Sequence, residues 1–449
     1  MPVLKTRLFS ATTCAIGLNS RWKIWLFLLA VTVPAVWLGY WSLRGTVAIR
    51  LSGGDDFGRT QRAAELDPAN PQIREKLGLI RLFAVREAQP AAAVKYFQQA
   101  IKLAPRRPGF RVDLASACDW SSDLDCSDAA LTQALKLSPM VPRLEWITAN
   151  HYVRTQRPDK AVVHLHRLLE LDPDYAAPAF ALGTRALGDP VLILTQVIPE
   201  QHEPDLKLGY IDFLSRQGQL GYAGEVWRKV VKSGGAFPFE KVQPYLERLL
   251  QAGQVGQAVN VWDDLKNLGI ISVPREESVD NLVFNGNFAQ PPLDAGFGWR
   301  SSRIPYVRTD FRDPSGTDHT PCLRVDYAVA RNDDVEAAYQ LVPVRPATTY
   351  TLSAQVRSEG ITSDSGPRLR VEDPSCPACL DVQTEATLGT SPWHLVSLQF
   401  TSGDRTNLVR LSVWRPHSRT FPSEISGSFW IDAVSIKEGI QRGAKASAP

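Results

Sequence analysis

The 449 residues carry 50 basic and 47 acidic side chains, a net charge of +3 spread along the chain. Without a long run of like charge, that balance excludes the electrostatic footprint of a nucleic-acid binder. The length exceeds what one hydrophobic core organises, so two or three domains are expected.

A short N-terminal tail, residues 1–23, precedes residues 24–43, a stretch without a charge flanked by Arg21, Lys23 and Arg44. At about 1.5 Å per residue it reaches roughly 30 Å, the thickness of a bilayer's hydrocarbon core. Trp22, Trp25, Trp37, Tyr40 and Trp41 cluster toward its ends, as interfacial aromatics do. Pro34 at mid-span is tolerated in a membrane helix. A cleaved signal peptide is the competing reading, with Thr46-Val47-Ala48 offering small residues for a cleavage site; its apolar region would ordinarily be shorter. Lys5, Arg7, Arg21 and Lys23 precede the span with no acid among them. This bias places the N-terminus in the cytoplasm and the bulk of the chain outside, as a single-pass protein of the inner (cytoplasmic) membrane facing the periplasm.

Four Leu-x-Pro tripeptides recur down the first half of the chain: Leu66-Asp67-Pro68, Leu103-Ala104-Pro105, Leu137-Ser138-Pro139 and Leu171-Asp172-Pro173, their prolines 37, 34 and 34 residues apart. Matching offsets carry matching residues. Ala93, Phe97 and Ala100 correspond to Ser127, Leu131 and Ala134, and to Ala161, Leu165 and Leu168. A period near 34 residues signals stacked helix pairs. The pattern resembles the tetratricopeptide repeat over residues 58–270, with three extra residues in a turn before Pro105. The fit weakens after residue 187, where two more helix pairs are expected around 206–232 and 239–268. The resemblance implies an all-α solenoid whose groove holds a protein partner.

Five cysteines lie beyond the span. In the repeat register Cys118 and Cys126 face each other across a helix turn, which predicts a disulfide and an oxidising compartment. Cys376 and Cys379 lack the partners of a zinc or redox site, so a loop disulfide is expected there. Cys322 is left over, unless it pairs with one of those two.

Near residue 270 helical periodicity gives way to short alternating runs. Seven strands are expected at 323–327, 337–344, 350–358, 368–371, 394–401, 407–415 and 428–436, implying a β-sandwich or jelly roll. The opening Asn281-Leu282-Val283-Phe284-Asn285-Gly286-Asn287-Phe288 and the closing Trp430-Ile431-Asp432-Ala433-Val434 resemble carbohydrate-binding-module jelly rolls over residues 280–438. Residues 439–449 are read as a disordered tail. The resemblance implies sugar contacts from Trp299, Tyr339, Trp393, Trp414 and Arg415, Trp414-Arg415 foremost. It also makes Asp432 with Asn287 a candidate structural calcium site; no other cofactor is implied. Trp430 is assigned to the core.

No catalytic motif is present in the sequence, and His164 and His166, two apart on an expected helix, do not share a face for a common metal. The combined reading is a non-catalytic, membrane-anchored envelope scaffold acting in polysaccharide export or assembly. Its stack would hold a protein partner and its jelly roll an extracytoplasmic glycan. The alternative is a protein-interaction scaffold whose sandwich is structural or protein-docking, with no sugar ligand.

Overall fold

A computed structural model describes residues 20–83, 88–200, 204–273, 280–317, 320–421 and 423–439. Most of the expected N-terminal tail, nearly all of the C-terminal tail and the 274–279 part of the connection before the sandwich lie outside them. The chain divides into two compact units, residues up to 171 and residues from 172 onward.

The first unit is helical: α1 (Arg21–Leu51), α2 (Phe57–Leu66), α3 (Pro71–Phe83), α4 (Pro90–Leu103), α5 (Gly109–Trp120), α6 (Leu124–Leu137), α7 (Pro142–Arg154) and α8 (Pro158–Leu171). Among the described residues α1 alone is long and apolar enough to cross a membrane. It runs eight residues past the apolar span. The Leu-x-Pro motif is a helix stop: Leu66, Leu103, Leu137 and Leu171 are each the last residue of a helix. The residue before a proline is driven out of the helical region. Asp67, Ala104 and Ser138 accordingly share one conformation, with φ of −129°, −140° and −145° and ψ of 79°, 76° and 73°.

The repeat offsets are buried as expected; Ala93, Phe97, Ala134, Leu165 and Leu168 are fully so. At Gly78 a β-carbon would stand 2.6 Å from the Phe97 ring, so this large–small pair needs its glycine. Six residues separate α3 from α4, where three separate α5 from α6 and α7 from α8, which places the three-residue insertion in that turn.

The second unit opens with α9 (Ala176–Leu187) and the short α10 (Pro190–Leu192), which continues as a π-helical turn, Ile193–Val197. Then come α11 (Asp205–Arg216), α12 (Leu220–Ser233), α13 (Gln243–Gln251) and α14 (Val255–Asn267), the two hairpins expected after the repeat loses step. Hairpins in both units share one turn. Ser122, Gln156, Gly218 and Gly253 all adopt φ between 58° and 73°. The next amide then donates to a carbonyl five residues back (Asp123 to Cys118, Arg157 to Tyr152, Gln219 to Leu214, Gln254 to Leu249) at 2.8–3.0 Å. This left-handed closure satisfies a helix-terminal carbonyl.

Among the described residues ten strands follow: β1 (Arg300–Ser301), β2 (Val307–Asp313), β3 (Cys322–Arg331), β4 (Val335–Pro343), β5 (Thr349–Ile361), β6 (Arg368–Glu372), β7 (Asp381–Gln383), β8 (Gly389–Thr401), β9 (Leu408–Arg415) and β10 (Ile425–Glu438). They form two five-stranded antiparallel sheets, β1-β4-β9-β6-β7 and β2-β3-β10-β5-β8. All seven expected strands are present. One core draws on both sheets, from Val342, Leu369 and Leu411 to Val325, Leu352 and Ile431.

The opening and closing motifs meet. Asn281 donates to Val434 O at 3.0 Å and accepts from Ile436 N at 3.1 Å, and Val434 N donates to Gly286 O at 2.9 Å. A β-carbon at Gly286 would sit 2.1 Å from Val434 O, which accounts for the Asn-Gly step. The last helical hairpin packs on this opening: the Trp262 ring lies 5.3 Å from Phe284 and 5.6 Å from Phe297. Both disulfides, Cys118–Cys126 and Cys376–Cys379, are formed, and Cys322 is free and buried.

Candidate functional site

On β9, Val409, Leu411 and Val413 face the core, so Arg410, Ser412 and Trp414 face outward. Antiparallel register then builds rows across the outer face of the β1-β4-β9-β6-β7 sheet. Arg300, Tyr339, Ser412, Arg370 and Gln383 form one row; Glu336, Trp414 and Arg368 form the next. Tyr339 and Trp414 are half-buried and lie diagonally on adjacent strands, a spacing of about 7–8 Å between backbones.

Guanidinium groups cover both rings. Arg410 stands 3.8 Å from the Tyr339 ring centre, and Arg370 stands 5.0 Å from that of Trp414. Carboxylates hold the guanidiniums. Arg370 donates twice to Asp381, both at 2.8 Å, and lies 2.7 Å from Glu372; Arg410 donates to Glu336. The Asp381 hydrogen bonds raise the Arg370 pKa, and the same bonds lower that of Asp381. At the β1 edge Arg300 forks onto Glu247 of α13 at 2.8 and 3.0 Å. Among the described residues, three buried atoms of this face have no hydrogen-bond partner: Ser412 Oγ, Arg410 Nε and Arg300 Nε.

The other expected contacts are elsewhere. Trp299 is 1% exposed, donates to Asn285 O at 3.2 Å and packs on Phe288, a core role. Arg415 is fully buried and ties three loops, donating to Ser365 O, Asp333 O, Ser363 Oγ and Ser423 O at 2.7–3.2 Å. Neither is placed to touch a sugar. Trp393 is half-buried on β8, the edge of the opposite sheet.

Trp430 is buried, as expected, but on the solvent-side face of its sheet. Its ring lies between Arg324 and Arg357, 5.1 and 4.6 Å away, because Phe429 and Ile431 take the core. Asp432 Oδ2 accepts from Thr317 N at 2.9 Å and Thr317 Oγ1 at 2.6 Å, so this carboxylate pins a loop. Asn287 Oδ1 accepts from Ala289 N at 3.3 Å. Among the described residues no three His, Cys, Asp or Glu side chains converge as metal ligands. His164 and His166 turn to different carboxylates, Glu145 at 2.7 Å and Glu170 at 3.6 Å.

The first helical unit holds a second surface. Phe83, Trp120 and Arg154 each stand fifteen residues after a motif proline, ending α3, α5 and α7. With Ser116 and Asp119 they line a hollow of about 610 Å³. Phe83 is 60% exposed and Trp120 64%. Asp119 ties this lining to a polar network: His151 puts Nδ1 2.9 Å from Asp119 Oδ2 and Nε2 2.9 Å from Asp128 Oδ1. Arg157 binds both Asp128 oxygens at 2.7 and 2.9 Å. Against partial desolvation, hydrogen bonds from Arg157, His151 and Lys160 draw Asp128 down to about 2. Asp119 is lowered as well, its desolvation outweighed by His151.

No protein-family model matches the chain, and no curated protein sequence does. Solved structures overlap it in parts. A structure titled "CBM4 structure and function" is 16% identical, covering 35% of this chain and 99% of its own, with a TM-score of 0.26. The "Crystal structure of MamA protein" is 16% identical over 43% of this chain and 97% of its own, with a TM-score of 0.29. A structure of Pseudomonas aeruginosa pilF is 16% identical over 45% and 92%, with a TM-score of 0.25. At these scores the functional reading rests on this chain's own geometry.

Proposed function

We propose that this protein is a non-catalytic, membrane-anchored scaffold of the cell envelope. Its first helical unit docks a protein partner, and its sandwich contacts an extracytoplasmic glycan in polysaccharide export or assembly. The observation that carries the glycan half is the outer sheet face on which Tyr339 and Trp414 sit together among hydroxyl and guanidinium donors. Aromatic rings with polar neighbours suit the apolar face and hydroxyl rim of a sugar. The docking half rests on the exposed Phe83 and Trp120 at one hollow. The two disulfides support an oxidising compartment for everything after the apolar span.

Glycan-array binding and titration calorimetry on the detergent-solubilised full chain test the sugar half. Binding to an envelope polysaccharide should drop at least about tenfold in Trp414→Ala and Tyr339→Ala, on the scale of one lost stacking contact. No binding to any polysaccharide removes it.

One observation favours the alternative, a structural or protein-docking sandwich. Both rings already carry an arginine. That reading predicts lower stability in Trp414→Ala and no glycan binding by either protein.

A further inference from the structure

The end of the apolar helix bears on whether it survives maturation. Residues 44–51 continue α1 without a break, and Ala48 is fully buried. It sits in a core with Ala63, Ala64, Ile73 and Leu77, with Leu51, Phe57 and Leu66 packed against it. Arg44, the first charge after the span, donates from Nε to Leu66 O at 2.5 Å and from Nη2 to Glu65 O at 3.2 Å. Those are terminal carbonyls of α2, which otherwise lack helical partners. The anchor's last turns therefore do two things a disposable leader does not: they fill a core and cap a neighbouring helix.

We infer that α1 is retained in the mature protein and that residues 44–51 serve as the inner helix of the first hairpin, so that the helical unit begins at the bilayer surface with no linker. Thr46-Val47-Ala48 is helical and its alanine is enclosed, so the first hairpin is incomplete without these residues. A cut after Ala48 would remove the Arg44 cap and uncover Ala63, Ala64, Ile73 and Leu77. Residues 44–51 extend about 12 Å beyond the apolar stretch. Because Arg44 lies at the junction, the carboxyl end of α2 is held at headgroup level. A partner seated on this unit then binds close to the membrane, in an orientation the anchor sets.

The inference rests on the membrane reading above for its geometry, though not for the retention of α1. The test is the intact mass and N-terminal sequence of the full chain, expressed with a C-terminal tag in a signal-peptidase-containing host and fractionated into membrane and soluble pools. The expected result is membrane-bound protein that still carries residues 1–51. A mature N-terminus between residues 47 and 50 overturns the inference. Soluble protein with residues 1–51 intact overturns the membrane reading and the bilayer geometry while leaving retention of α1 standing.

A paired test compares Ala48→Glu with Ala48→Ser in the same membranes. Placing a carboxylate in that core should speed proteolysis within α2 and α3 at least about tenfold, by opening the first hairpin. Ala48→Ser should change it little, and both variants should remain in the membrane. Unchanged proteolysis in Ala48→Glu overturns the packing role.

Discussion

At the hollow of the first helical unit, Phe83 and Trp120 stand open to solvent; on the sandwich's outer sheet face, Tyr339 and Trp414 lie under Arg410 and Arg370. A partner that covers bare rings gains their apolar burial outright. A ligand reaching for Tyr339 or Trp414 has to share the ring with a guanidinium or displace one that is already ion-paired. The contrast extends to how each region is held. The helical unit repeats one local solution, a pre-proline stop and a left-handed turn, so its stability is distributed. The sandwich concentrates long-range ties in a few polar hubs, Arg415 above all.

The largest expected effect tests that concentration. Arg415→Ala removes donors to four acceptors in three loops and leaves the carbonyls of Ser365, Asp333 and Ser423 short of partners. Losing a buried charged hub of this kind costs about 3–4 kcal/mol. Denaturant unfolding of the full chain should show that loss in the transition assigned to the sandwich, with the helical transition unmoved. A loss below about 1 kcal/mol would mean that the loops hold themselves and that the contrast is overstated.

The next effect belongs to the helical unit. Asp128 ionises at lower pH folded than unfolded, and Asp119 shifts the same way. Their contribution is therefore full above the ordinary carboxylate range near pH 4 and drains as pH falls toward about 2. For Asp128 the depression, discounted for the solvent that reaches the group, corresponds to about 1–2 kcal/mol. Denaturant midpoints at pH 7 and pH 3 should separate in the parent and draw together in Asp128→Asn. If the gap is the same in both, the Asp128 charge network is not what stabilises this unit.

What the sequence made legible follows the same division. The repeat could be read because its determinants are local: Leu-x-Pro at a period near 34 stops each helix in turn, and Phe97 against Gly78 needs only the adjacent helix. Strands β3 to β6 and β8 to β10 announced themselves by alternation. The short β1 and β7, with two and three residues, carry no period to detect. The candidate contact residues were harder because side-chain direction in a sheet depends on register. Trp414 and Arg415 are neighbours and so point to opposite faces. The parity of Val409, Leu411 and Val413 was the available signal that Arg415 turns inward. For Tyr339 no such count works, since the bulge between Glu336 and Ala338 resets the alternation. Arg370, Arg410 and Ser412 went unnoticed because only cross-strand pairing gathers them around the rings.

The smallest effect tests whether the helical unit's turns are as interchangeable as their geometry implies. Gln156 holds φ at 58° in the position where Gly218 and Gly253 hold 73° and 69°. A side chain there strains the backbone by about 1–2 kcal/mol, while a glycine costs about 0.5–1 kcal/mol through the freedom it gives the unfolded chain. Gln156→Gly should therefore stabilise by up to about 1 kcal/mol. Gly218→Ala, at a site with open space around the new methyl group, should destabilise by a similar amount. Thermal melts of both variants measure the pair. Arg157 follows Gln156 and carries Asp128, so a turn effect alone should appear equally at pH 7 and pH 3. A gain that vanishes at pH 3 would instead show that the turn acts by aiming Arg157, and that this hairpin's stability is less local than its repeat suggests.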